Sequence, residues 1–248
     1  MENAEKIQLL QKIINESGSI VFFGGAGVST ESGIPDFRSQ DGLYRQQWKY
    51  PPETIISRSF FDTNTKEFYR FYREKLIIKG AEPNITHKKL AELEAAGKLT
   101  AVVTQNIDGL HQKAGSKKVY ELHGSTLRNY CMNCHKFFDE KFISDSAKSP
   151  DTLPHCDECG GLVKPDVVLY EEGLDDNIVT GAVDAIASCD TLIIGGTSLV
   201  VYPAAGLIRY FRGKHLVLIN KSETQADNMA DLVIHDSLGR VFEQITLQ

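Results

Sequence analysis

The chain has 248 residues, 42% hydrophobic and 24% charged, a soluble globular composition with room for one large core and a small satellite module. Its formal net charge of −6 disfavours a phosphate-backbone binder, so no nucleic-acid partner is expected. It contains no apolar run of about 18 residues, so no membrane-spanning helix is expected. The charged start Glu2-Asn3-Ala4-Glu5-Lys6 lacks the apolar stretch of a secretory leader, which points to a reducing, cytoplasmic location.

Ile7, Leu10 and Ile14 share one face of a first predicted helix. Residues 19–23 then form an apolar strand that ends in Gly24-Gly25-Ala26-Gly27 and is expected to open a second helix. The glycines would let the backbone approach a pyrophosphate, although Thr30 stands where the third glycine of the dinucleotide fingerprint would be. Residues 37–82 are aromatic and charged, with Phe60-Phe61, Phe68-Tyr69 and Phe71-Tyr72 at roughly helical spacing, predicting helices packed on the sheet. A helix over 87–96 stops at Gly97.

The strand pattern then recurs. Residues 99–103 run into Thr104-Gln105-Asn106, and 119–122 into His123-Gly124. Residues 191–194 run into Gly195-Gly196-Thr197-Ser198, 216–219 into Asn220-Lys221-Ser222, and 232–235 form a sixth strand. Strands alternating with helices predict an α/β fold with a doubly wound, Rossmann-like parallel sheet. Ligands bind such sheets at the carboxyl ends of strands, near the switch in strand order. Five strand ends here carry glycines or hydrogen-bonding side chains, which predicts one shared site.

Residues 128–163 break the rhythm. Cys131-x-x-Cys134 and Cys156-x-x-Cys159 are separated by 21 residues, the spacing at which two turns supply four thiolates to one tetrahedral zinc. Two disulfides would be unusual in a reducing compartment. His135 and His155 adjoin the pairs but are not needed once four cysteines close the shell. A shell without an open position activates no water, so this zinc is expected to be structural. Cys189 reads as a buried small hydrophobe.

The stretch Gly25-Ala26-Gly27-Val28-Ser29-Thr30-Glu31-Ser32-Gly33-Ile34-Pro35-Asp36-Phe37-Arg38-Ser39 resembles the cofactor loop of the sirtuins. Thr104-Gln105-Asn106-Ile107-Asp108-Gly109-Leu110-His111 resembles that family's second signature, and Glu121-Leu122-His123-Gly124 its third. Gly196-Thr197-Ser198-Leu199, Leu218-Ile219-Asn220 and the cysteine pairs complete the resemblance, which runs in family order from about residue 20 to the C-terminus.

The resemblance implies an NAD-dependent protein-lysine deacylase, acetyl first, that releases nicotinamide, free lysine and O-acyl-ADP-ribose. In that chemistry the acyl oxygen attacks the ribose C1′, and a general base then activates a ribose hydroxyl against the imidate-like carbon. His123 is implied as that base, with Asn106 beside it; a pKa near 6.5 keeps imidazole neutral at cytoplasmic pH. Asp108 and the Ile107 backbone are implied at the nicotinamide carboxamide, Gln105 and Asn106 at its ribose, and Arg38 at a phosphate or the reacting centre. Phe37 shields the intermediate. Gly25, Ala26, Gly27, Thr30, Asp36, Gly196, Thr197, Ser198, Asn220 and Asp236 are implied as further cofactor contacts. Val168, with Phe37 and Ile107, is implied to hold the substrate peptide by strand addition. His111 shapes its loop.

Three units are implied: 1–37, 86–127 and 164–248 as the NAD-binding domain, 38–85 as a helical insertion closing over the cofactor, and 128–163 as the zinc ribbon. A monomer acting on acyl-lysine proteins is expected.

Departures from the family pattern carry expectations of their own. Gly24 stands where many members have threonine, implying a looser loop start. Glu171 replaces a frequent glycine and implies attraction to basic substrate segments. The branch that removes succinyl or malonyl groups has a tyrosine and an arginine three positions apart; here Tyr72 is followed by Lys75, which cannot form the same bidentate clamp. Other readings remain: an ADP-ribosyltransferase, a noncatalytic NAD sensor, or an oxidoreductase, the last poorly matched by Asn220 where an acidic ribose contact is expected.

Overall fold

A computed structural model describes residues 2–37, 42 and 48–247 of the chain. The strands among them are β1 Ile20–Gly24, β2 Leu99–Thr104, β3 Val119–Glu121, β4 Gly124–Cys131, β5 Phe137–Asp139, β6 Val163–Val167, β7 Thr191–Gly195, β8 His215–Ile219 and β9 Leu232–Ile234. Six of them form one parallel sheet in the order β3-β2-β1-β7-β8-β9. The other three form a small antiparallel sheet, β5-β4-β6.

The α-helices are α1 Asn3–Glu16, α2 Pro52–Ile55, α3 Arg58–Thr63, α4 Thr65–Phe71, α5 Ile85–Ala95, α6 Leu110–Ala114, α7 Glu140–Asp145, α8 Asp176–Ser188 and α9 Leu238–Glu243. No helix of the described residues is long and apolar enough to cross a membrane. Asn84 starts α5 by accepting from the amides of Thr86 and His87, two residues before the expected start. Gly97, at φ 74°, ends the helix as expected; Lys98 N–H then reaches the Leu93 carbonyl in a Schellman closure.

Alternation along β1 assigns the two faces of the large sheet. Ile20 and Phe22 join Leu10 and Ile14 of α1, Leu90 and Leu93 of α5, and Phe242 of α9. Val21 and Phe23 join Ala182 and Ile186 of α8 and the tight turn carrying Leu207 and Ile208. Both faces of the sheet are therefore covered, which is why its strands read as continuous apolar runs.

The aromatic segment does not pack on this sheet. Phe60, Phe61, Phe68, Tyr69, Phe71 and Tyr72 share a third core with Phe138, Ile143, Val163, Val167 and Leu169. Tyr69 Oη donates to the Val163 carbonyl, and Arg73 Nη1 donates to Ser146 Oγ and the Thr152 carbonyl, both at 3.0 Å. A cysteine-bearing insertion too small to bury a core of its own has taken these helices as its other half. Arg128 joins this unit to the large sheet, bonding Glu121 on β3 at 2.7 Å and Asp166 on β6 at 2.8 Å.

Candidate functional site

The strand order reverses between β1 and β7, so their carboxyl ends flank the crevice where such sheets bind ligands. Gly25, Ala26, Gly27 and Thr30 line the resulting cleft, with Gln105, Asn106, Ile107 and Asp108 after β2. His123 after β3, Gly196, Thr197 and Ser198 after β7, and Asn220 after β8 complete its floor. Asp36, Phe37 and Val168 line it as well. Arg38 lies outside the described residues.

Two expectations about the glycine loop need correction. It opens no α-helix; short 3-10 turns at Ala26–Val28 and Thr30–Ser32 follow β1 instead. Its glycines serve first to let two loops meet across the switch point. A Cβ on Gly27 would sit 2.8 Å from both Cα and O of Gly196, and one on Gly25 would sit 2.8 Å from Thr197 Cβ. Gly27 N–H donates to the Gly196 carbonyl at 2.8 Å. Gly24 does not loosen the start either: a Cβ there would lie 2.7 Å from the Phe22 ring and 3.1 Å from Val28.

A buried hydrogen-bond chain orders the floor. Asn106 Nδ2 donates to Ser29 Oγ at 3.0 Å, and Ser29 Oγ donates to Asp108 Oδ2 at 2.6 Å. The other Asp108 oxygen accepts from Leu110 N–H at 2.9 Å and starts α6. Gln105 Nε2 donates to Thr197 Oγ1 at 3.1 Å, crossing from the β2 end to the β7 end. The Ile107 carbonyl accepts twice from Thr126, leaving its N–H as the main-chain group without a partner among the described residues.

Ser29, only 1% exposed, was not singled out in the sequence. Among its polar neighbours Thr30, Glu31 and Ser32 nothing in the sequence set its hydroxyl apart. Asn84 was missed too; its Nδ2 donates to the Val28 carbonyl at 2.7 Å and to Ser32 Oγ at 3.0 Å, holding the loop from behind.

His123 has a definite tautomer. Its Nδ1 lies 3.0 Å from the Gln105 carbonyl oxygen, which can only accept, so Nδ1 carries the proton. In the neutral ring the basic lone pair is then on Nε2, which has no partner among the described residues. Burial pushes the imidazole below its ordinary 6.5, and the bond to Gln105 opposes that only in part. The ring is therefore a neutral base at neutral pH.

Behind this floor His111 packs edge-on against His87 at 4.8 Å, both buried. Burial holds His87 down to about 4 and His111 to about 3, so both are neutral and shape the loop rather than titrate near pH 7.

Asp236 does not join the cleft. Its carboxylate accepts from Asn3 Nδ2 at 3.0 Å and from Ser237 N–H at 2.7 Å, and Ser237 and Leu238 form the wall there. Tyr72 is 0% exposed inside the third core, so it makes no acyl-binding pair with Lys75, which lines the cleft beside Glu74 at 3.3 Å. Glu171 does not hold its carboxylate out for a basic partner; both oxygens accept from Ser59.

The four cysteines converge as the spacing predicts. Their sulfurs lie within 4.8 Å of one another, with Cys131 to Cys159 at 3.4 Å and Cys134 to Cys156 at 3.6 Å. Those separations exceed a disulfide bond and approach the ~3.8 Å edge of a tetrahedron with Zn–S of about 2.3 Å. Asn133 and Glu158 N–H groups point at Cys131 and Cys156 sulfur at 3.4 Å, as suits thiolates. The donor set fits one zinc ion. His155 is instead paired with Asp151 at 2.7 Å.

The Sir2 family model matches residues 25–203. A Clostridium acetobutylicum protein named NAD-dependent protein deacetylase is 64% identical over 243 residues, covering 97% of this chain and 98% of that protein. A Clostridium perfringens protein of the same name is 63% identical over 244 residues, covering 97% and 98%. Among solved structures, one described as a basis for the mechanism and regulation of Sir2 enzymes superposes with a TM-score of 0.86 at 42% identity, covering 96% of this chain and 95% of that one. A Sir2 complex with a p53 peptide and NAD+ gives a TM-score of 0.85 at 38% identity, covering 96% of each chain.

Proposed function

The chain belongs to the Sir2 family, and we propose that it is an NAD-dependent protein-lysine deacetylase working through His123. The observation that carries this reading is the neutral imidazole with Nδ1 held by the Gln105 carbonyl and Nε2 at the cleft. Amides, hydroxyls and main-chain N–H groups converge at the switch point, a donor set that suits a dinucleotide. When bound, NAD supplies a ribose carbon made electrophilic by departure of neutral nicotinamide.

With NAD bound, His123 Nε2 would take the proton of a ribose hydroxyl and so activate that oxygen towards the acyl group, with the lysine amine as the group that leaves. Asn106 and Gln105 orient that ribose, while Asp108 and the Ile107 N–H take the carboxamide. Thr197, Ser198 and Asn220 hold the adenosine half; Gly25, Ala26, Gly27, Thr30, Asp36 and Gly196 form the walls. Phe37 excludes water, and Arg38 meets a phosphate or the reacting centre. The Val168 carbonyl offers the substrate backbone an acceptor, its N–H being bonded to the His123 carbonyl. This segment already forms a parallel bridge from Tyr170 to Ser57, which supports one more strand on its other side. With Tyr72 buried and no arginine three positions on, the bidentate clamp for a succinyl carboxylate is missing, which favours neutral acyl groups.

Residues 1–37, 86–127 and 164–248 form the NAD-binding unit, 38–85 close over it, and 128–163 carry the structural zinc. The protein acts on acyl-lysine proteins as a cytoplasmic monomer, with no nucleic acid or membrane partner.

Incubation with NAD and an acetyl-lysine peptide, followed by mass analysis, tests the reading. Deacetylated peptide and O-acetyl-ADP-ribose are expected from the wild type and neither from His123→Ala. NAD binding without nicotinamide release, or ADP-ribose added to protein, would sink it.

A further inference from the structure

We propose that Glu171 is a positioning residue for the protein substrate, clasping the peptide-binding ledge to the small domain; this rests on the deacetylase reading above. The ledge is the segment 168–172, which leaves β6 and lines the cleft. At one end Val168 N–H donates to the carbonyl of His123 itself at 3.0 Å, so the ledge is tied to the backbone of the general base. Further along, Arg58 N–H donates to the Tyr170 carbonyl at 2.9 Å, and Tyr170 N–H to the Ile56 carbonyl at 3.1 Å. The ledge therefore spans the two halves of the molecule.

Glu171 sits at φ 76°, a left-handed conformation that a side chain with a Cβ adopts only when its surroundings hold it there. Its carboxylate supplies that hold. Ser59 N–H donates to Oε2 at 2.8 Å and Ser59 Oγ to Oε1 at 2.9 Å. The neighbouring Glu172 is fixed separately, by Arg58 at 3.1 Å, Lys164 at 3.1 Å and Leu169 N–H at 2.8 Å. Arg58, the first residue of α3, thus holds the ledge through Tyr170 and Glu172, and Glu171 adds a second clasp one residue along, at Ser59. Losing that clasp loosens the outer turn and with it the adjoining Val168–Leu169 backbone at the peptide cleft, whichever residue replaces the glutamate. NAD contacts, which lie on other strand ends, keep their geometry.

The test is steady-state kinetics and peptide-binding anisotropy with one acetyl-lysine peptide on Glu171→Ala, Glu171→Gly, Glu171→Gln and Ser59→Ala. Loss of two hydrogen bonds to a carboxylate should raise the peptide KM by about tenfold in the alanine variant. Turnover number and NAD KM should stay within about twofold of wild type. Gln can still accept from Ser59 N–H and donate to Oγ, so it should restore most of the affinity, and Ser59→Ala should fall between.

Glycine tolerates the left-handed backbone, so Glu171→Gly should fold even where alanine does not and should show the same KM rise. Unchanged peptide KM in folded Glu171→Gly overturns the proposal, as does a loss shared equally by turnover and NAD KM. A wild type inert toward NAD and acetyl peptide would instead defeat the deacetylase reading, and the anisotropy series would still report on the clasp.

Discussion

Adding a single methyl group at Gly27 tests how the cleft is built. In Gly27→Ala the new Cβ would lie 2.8 Å from Gly196 Cα and O, and 3.0 Å from Gly196 C. Carbon contacts relax near 3.5–4.0 Å, so the loops must part by about 1 Å. All three obstructing atoms are backbone, and no side-chain rotation can relieve them. The separation also breaks the 2.8 Å bond from Gly27 N–H to Gly196 O.

Overpacking of this kind costs about 1–3 kcal/mol, which for a chain of this size lowers Tm by roughly 2–12 °C. Function should suffer more, because a shift of about 1 Å in a positioning loop can cost about 100-fold in rate. The assay is calorimetry alongside kcat/KM for NAD, with Gly173→Ala as the control, since a Cβ there meets nothing within 4 Å. Wild-type Tm and NAD kinetics in Gly27→Ala would refute the loop-against-loop account.

Two further outcomes follow from the site and the zinc module. The base form of His123 is lost as pH falls through its pKa, and burial places that pKa below 6.5. The acid limb of peptide kcat/KM should therefore be centred below pH 6.5; a limb centred above 6.5 would contradict the buried neutral imidazole. Stripping zinc with a strong chelator should melt more than residues 128–163, because Phe60, Phe68 and Tyr72 share a core with Val163 and Ile143. Hydrogen exchange should show helices α3 and α4 losing protection together with β4–β6; protected helices beside an unfolded ribbon would count against a common core.

Much of this protein was legible because the information is local. Alternating apolar runs ending in glycine or polar residues marked the strand ends after β1, β2, β3, β7 and β8, and the structure brings those ends to one cleft. Two Cys-x-x-Cys turns specified a four-sulfur cluster for the same reason: each turn sets its own sulfur geometry over a few residues. His123 was picked out by its immediate neighbours in sequence.

Folding decided what depends on partners far apart along the chain. Ser29 and Asp108 are 79 residues apart, and Ser59 and Glu171 are 112 apart, so no periodicity could join them. The tautomer of His123 depends on a carbonyl from the neighbouring strand end, and the need for glycine at 27 on the backbone at 196. The aromatic helices left the parallel sheet because the cysteine insertion needed apolar surface that its own residues could not supply. Residue types and short spacings set the available chemistry; close packing of distant segments set which atoms face one another.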